Sequence, residues 1–198
     1  VLFSCKGEKK EKIVVKEEVK VEKTGIVNNL DLAASVMTWK GTKPTGSHDG
    51  TVSFKSGGMV VENGVLKDGE FVIDMSTIKN LDMAGSEGAG KIEKHLKASD
   101  FFDVTLYPNS KFVITSVLEV EGNLAVTGNL TIKDVTKSIT IPATIATVEG
   151  ITTFKSETFT IDRTDFGVVY ASKKLDAALK DKFINDLMEM SFSVITKA

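Results

Sequence analysis

The chain predicts an all-β domain, an antiparallel barrel of about eight strands with one or two short helices. Three observations carry this expectation. Apolar residues recur at every second position over much of the chain, glycine-bearing turn sequences punctuate these runs, and few segments show a helical period. The 198 residues are enough for one domain with a sizeable core, and 41% hydrophobic residues is ordinary for a folded protein.

The first strand is expected within "SVMTWKGTKPTGSHDG", Ser35 to Gly50. It carries Trp39, with Gly41 permitting a bend or close backbone approach, and a turn over Gly46-Ser47-His48-Asp49-Gly50 follows. Thr51-Val52-Ser53-Phe54 then alternates, as do Glu70 to Met75 and Lys111 to Thr115. Thr127 to Lys133, Ile139 to Val148, Thr153 to Ile161 and Met188 to Ile195 complete the strands. Turns are expected at Glu62-Asn63-Gly64, Lys67-Asp68-Gly69, Glu121-Gly122-Asn123 and Glu149-Gly150, where Asn and Gly tolerate positive φ. Pro108 and Pro142 fit a strand start or an edge, since neither can donate to a ladder. Glu87 to Ala98 places Ile92, His95 and Leu96 on one helical face, and Asp176 to Asn185 predicts a second short helix. Helical residues are too few to cover an open sheet, so closing it buries one face and removes the edges together. A two-sheet sandwich satisfies the same strand count.

Before the strands lies a different composition. "VLFSCKGEKKEK" resembles the end of a bacterial lipoprotein signal peptide: Val1 to Ser4 would be its last residues, and Cys5, the single cysteine, would become lipidated. A chance Cys in a charged end is the plain alternative. The Lys-, Glu- and Val-rich residues that follow predict a flexible tether over 5–31, with the folded domain over 32–198. The expected location is the bacterial cell envelope, lipid-anchored, periplasmic or associated with the outer membrane.

Charge names no partner. The formal charge is -2, from 25 basic and 27 acidic residues, which argues against nucleic acid. His48 and His95 lack a second His at ligand spacing, so no metal is expected. Asp165-Phe166-Gly167 has the letters of a kinase metal-binding motif without the loops that give it meaning. No Gly-x-Ser-x-Gly elbow accompanies Ser35, Ser47 or Ser53, and the chain is not expected to be an enzyme. Arg163 is the only arginine, which favours a geometry-dependent role: pairing with Asp162 or Asp165, or contact with a ligand's phosphate or carboxylate.

Four ordered blocks resemble the YceI-like family of polyisoprenoid- and lipid-binding proteins. They are "SVMTWKGTKPTGSHDGTVSFKSGGMVVENGVLKDGEFVIDMSTI", "HLKASDFFDVTLYPNSKFVITSV", "VTGNLTIKDVTKSITIPATI" and "FTIDRTDFGVVY", spread from about Leu32 to the C-terminus. The resemblance implies a lipocalin-like barrel around an apolar tunnel holding a long-chain isoprenoid, quinone-like or fatty-acyl ligand, with no other cofactor. On that basis Trp39, Phe54, Phe71, Ile73, Phe112, Ile114, Leu130, Ile132, Phe159 and Ile161 are candidates for the tunnel wall. His48, His95 and Arg163 are candidates for head-group contacts at its mouth. A continuous cavity of several hundred Å³ is expected, with Thr77 to Gly90 as a mobile lid. Binding, sequestration or transport of such a lipid is the expected function. A packed barrel acting as a protein-interaction module is the alternative, and a homodimer is compatible with either.

Overall fold

The computed structural model describes residues 12–20 and 27–196. Cys5 and the signal-peptide residues lie outside these. Among the described residues, nine strands form one antiparallel sheet: β1 (Val36–Lys43), β2 (Gly46–Glu62), β3 (Val65–Asn80), β4 (Asn109–Val120), β5 (Asn123–Ile132), β6 (Val135–Val148), β7 (Ile151–Ser156), β8 (Phe159–Asp162) and β9 (Leu187–Ile195). Each pairs with its successor up to β7; β7 and β8 both pair with β9, and β9 pairs with β1 to close the barrel. The sandwich alternative is thereby excluded. β7 and β8 are the expected strand Thr153 to Ile161 broken in two: the register against β9 shifts between Phe154↔Val194 and Phe159↔Met190. The break bends β8 away from β6, so the barrel has eight walls, one of them in two pieces.

Turn chemistry explains most of the connections. Asn63-Gly64, Glu121-Gly122 and Glu149-Gly150 all have positive φ at both residues, as two-residue hairpins of matching twist require. Two expected turns are strand instead. Lys67-Asp68-Gly69 lies inside β3, and β2 already begins at Gly46, with His48 paired to Gly41. The chain reverses over Pro44-Thr45. Pro142 sits inside β6 opposite Ala125. Its carbonyl accepts from the Glu157 N–H, so its missing donor faces the side where β7 gives way to β8 and a partner strand is lost.

The barrel has two unlike ends. One carries the β1–β2 and β5–β6 turns, helix α1 (Glu87–Lys97) and the β8–β9 connection; the other carries the β2–β3, β4–β5 and β6–β7 turns. α1 starts where Ser86 Oγ accepts from the Ala89 N–H (3.1 Å) and follows the expected span closely. The second expected helix is only a 3-10 turn over Ala177–Lys182, interrupted at Lys180, whose φ is 50°.

Half of the interior is filled. Phe192 lies among Phe71, Phe112, Phe154 and Phe159 with ring centroids 5.1–6.5 Å apart, and Phe54 packs edge-on against Phe71. Only about 10 Å³ of space remains there, too little for a ligand. Close packing needs missing side chains. A Cβ on Gly128 would lie 2.4 Å from the Phe112 ring, and one on Gly50 would lie 1.8 Å from the Lys79 carbonyl and 2.7 Å from the Trp39 indole. Gly41, expected to permit such an approach, has open space around it.

The expected tether is docked over the residues the structure describes. The Ile13 N–H donates to Thr160 O of β8, Lys16 and Ser138 of β6 exchange two backbone hydrogen bonds, and Asn129 of β5 holds both backbone groups of Val19. Lys12 pairs with Asp165 (2.8 Å) and Asp162 (3.2 Å). Ile13 and Val15 pack against the core. The segment occupies the gap that opens where β8 leaves β6, satisfying edge groups that would otherwise face water. Leu30, also placed in the tether by composition, is buried and bridges to Thr196.

Candidate apolar binding cavity

Between the phenylalanine floor and α1 the barrel encloses a cavity of about 210 Å³. Its wall is β-strand, and the alternation of each strand decides who faces it: Met37 and Trp39 from β1, Ile73 and Met75 from β3, Leu130 and Ile132 from β5. Met188 and Met190 of β9 bring the methionines on the wall to four, of six in the chain. An unbranched thioether has several low-energy shapes, so such a wall can adapt to its contents. Ile92, His95 and Leu96 of α1 form the roof, with Phe101 and Phe102 beside them.

The helix is fastened by charge. Glu93 accepts from the Asn80 N–H (3.0 Å) and from Lys79 Nζ (3.2 Å), which tie it to the end of β3. The hydrogen bond from Asn80, together with Lys79, holds the Glu93 carboxyl below its usual range despite partial desolvation. Apart from Ser110 of β4, which pairs with Ile73 deeper in the wall, the polar groups are at the mouth. There His48 Nδ1 lies 2.9 Å from Asp82 Oδ2, and the Asp49 N–H donates to Asp82 Oδ1 at 3.1 Å. Desolvation alone would raise the Asp82 carboxyl, yet hydrogen bonds from His48, Asp49 and Asn80 bring it down to about 2. An ionised carboxylate only accepts, so the proton of this pair is on His48 Nδ1. His95 lies 3.5 Å from Asp100 and meets Tyr170 edge-on at 4.6 Å.

The candidate residues divide between two regions. Trp39 and Ile132 line the cavity; Ile73 and Leu130 touch both cavity and floor; Phe54, Phe71, Phe112 and Phe159 belong to the floor. Ile114 and Ile161 are buried but line neither. The continuous tunnel of several hundred Å³ is therefore a shorter cup, because aromatic side chains fill the far half. His48 and His95 both reach the cavity. Arg163 reaches it too, but its guanidinium is wholly buried and committed to the fold: it donates to the carbonyls of Val168 (2.8 Å), Ile184 (3.0 Å) and Asn185 (3.2 Å) and to Asp186 (3.2 Å). Its acidic partner is Asp186, and the neighbouring Asp162 and Asp165 engage Lys12 instead. The methionine wall and Phe192 escaped sequence reasoning. Alternation in Met188 to Ile195 marks them as interior, yet nothing local separates wall from floor.

Comparison with known proteins fits this architecture. A UPF0312 protein of Shewanella denitrificans is 32% identical over 134 residues, covering 57% of this chain and 69% of that protein. A UPF0312 protein of Pseudomonas putida is 41% identical over 83 residues, and the chain spans only 43% of its length. Among solved structures, Burkholderia cenocepacia BcnA superposes with a TM-score of 0.68 at 21% identity, over 85% of this chain and all of that one. A polyisoprenoid binding domain from Saccharophagus degradans gives 0.64 at 13% identity, over 88% of this chain and 99% of that one. At such identities these two show a shared fold. The YceI-like domain model matches residues 29–195, which takes in Leu30 ahead of the expected domain start, and the chain belongs to the YceI-like family.

Proposed function

We propose that this barrel binds the chain of an apolar lipid, with the tail in the cup and any polar head at the His48 and His95 mouth. The observation that carries the reading is an interior cavity walled by adaptable apolar side chains in a protein whose remaining core is tightly packed. The polyisoprenoid-binding structural neighbour supports the same ligand class. A tail of isoprenoid, quinone-like or fatty-acyl type fits. At the ~30 Å³ a water-sized group takes in a liquid, the cup accepts on the order of seven such groups. Burying seven methylenes yields roughly 5–6 kcal/mol before binding costs, at ~0.8 kcal/mol each. The cup as it stands therefore retains a short tail weakly, and firm retention of a longer one requires the methionines or the floor to move. The role is binding, sequestration or transport rather than catalysis.

The envelope setting belongs to the same proposal. If Cys5 carries lipid, it lies seven residues before Lys12, a reach of at most about 25 Å. The test is native mass spectrometry of protein purified without detergent, followed by organic extraction. The expected result is an adduct of lipid mass, lost on denaturation and much reduced in Ile78→Phe, where the larger ring replaces a β3 side chain that lines the cup. An unadducted protein that also takes up no added fatty acid or isoprenoid would sink the reading.

A further inference from the structure

The mouth of the cup is surrounded by an exposed surface that the cavity itself does not need. Val169, Tyr170 and Leu175 of the β8–β9 connection are 47%, 40% and 61% exposed, and Leu106 before β4 is 65% exposed. They are held around one framework: Tyr170 stands against His95 of α1 and 6.4 Å from the Phe101 ring, while Lys133 bonds the Phe101 carbonyl and lies 6.0 Å over Tyr107, next to Leu106. Lysines accompany the apolar groups. Lys94 on α1 and Lys173 and Lys174 on the loop are exposed, with Lys173 Nζ 4.7 Å over the Phe183 ring. Of the nearby carboxylates, Asp165 meets Lys12, Asp186 meets Arg163, and Asp162 meets Lys12 and, at 3.6 Å, Lys174; Asp100, Asp134, Asp176 and Asp181 are exposed, and against them Lys180 and Lys182 add to the exposed lysines.

The opposite end also exposes apolar groups, including Leu118, Val120 and Val148 at 64%, 51% and 68%. Its turns carry Glu62, Glu119, Glu121 and Glu149 against Lys67, all exposed. An anionic lipid surface repels that end and attracts the mouth, where lysine and tyrosine stand among leucine and valine as interfacial anchors do. The N-terminal segment agrees, since Lys12 is fixed at the mouth end by Asp162 and Asp165.

We propose that the rim formed by Leu106, Val169, Tyr170 and Leu175 with Lys94, Lys173 and Lys174 is a membrane-docking face that sets the mouth of the cup against an anionic phospholipid bilayer. It deepens the lipid-binding reading by giving the ligand a source, and rests on that reading for its purpose. The face is tested on the full chain carrying Cys5→Ser, so that no lipid at Cys5 contributes. Co-sedimentation is measured with vesicles of mixed phosphatidylethanolamine and phosphatidylglycerol, and uptake of a fluorescent fatty acid is measured on the same proteins without vesicles. Leu106→Ser with Leu175→Ser, or Lys173→Glu with Lys174→Glu, is expected to lower vesicle partitioning about tenfold with uptake unchanged. Leu118→Ser with Val148→Ser at the other end is expected to leave both unchanged. Absence of vesicle binding by the Cys5→Ser chain, or equal loss in the far-end variant, overturns the docking face. Vesicle binding without fatty-acid uptake leaves the face standing and removes the cavity reading instead.

Discussion

Gly50 shows how much one missing side chain can decide. Trp39 lies across it while donating Nε1–H to the Thr51 carbonyl (3.3 Å), and the Lys79 carbonyl closes the other side. Gly50→Ala must displace either the indole, which lines the cup, or the backbone of β3. The expected cost is about 3 kcal/mol, typical of severe overpacking. Denaturant midpoints give the loss, and a red shift of the single tryptophan's emission shows whether the indole has moved. An unchanged midpoint would mean that the approach is looser than described. This contact was half legible in the sequence. The sequence pointed to Gly41 for the close approach and to a turn at Gly50, but Gly50 is the nearer in space, because β1 and β2 pair Trp39 with Gly50. Arg163 was legible in the same partial way. Its rarity marked a geometric role, whereas its three carbonyl partners come from a connection whose course no local pattern reveals.

The roof helix and the N-terminal strap are elements held by a few named bonds, and each can be loosened separately. Asp82 is folded with a carboxyl at about 2 against an ordinary 3.8, so its stabilising contribution is complete above that ordinary value and is lost as pH falls through about 2. Glu93 is shifted in the same direction. Stability followed from about pH 5 to about pH 2 is expected to fall less steeply in Asp82→Asn than in the wild type, since the amide has no proton to gain. Parallel slopes would show that the His48 pair does not stabilise the fold. The strap depends on Asn129, whose amide serves Val19 twice. Asn129→Ala is expected to cost about 1 kcal/mol or less of global stability and to abolish hydrogen-exchange protection at Lys16 and Val19, with β6 protection retained. Persistent protection at those amides would contradict the docking. Helix α1 was legible because Ile92, His95 and Leu96 recur on one helical face. The strap was not: Lys, Glu and Val in alternation suit a solvated spacer as well as an added strand, and only the gap left by the bent β7–β8 wall decides between them.

The molecule as a whole is closed at one end. Strand alternation exposed the barrel and most of its interior residues, but alternation is blind to depth along a strand, and depth is what separates wall from floor. Phe112 and Ile132 are both inward-facing, yet one fills space and the other borders it. Phe192→Ala removes the ring on which four others lean and is expected to cost about 3–5 kcal/mol. In a fatty-acid series it should shift the preferred chain toward greater length, as measured by competition with a fluorescent acid. An unaltered length preference would place the determinant elsewhere. For a lipid held as proposed, the phenylalanine floor also constrains traffic. A pipe open at both ends can take cargo from one side and release it at the other, so that flow has a built-in sense. A vessel with one doorway admits and discharges along the same path, tail first inward and head first outward. Any direction in its exchange must then come from what the doorway meets on each visit, and the polar head, last to enter, is always the part presented to the next acceptor.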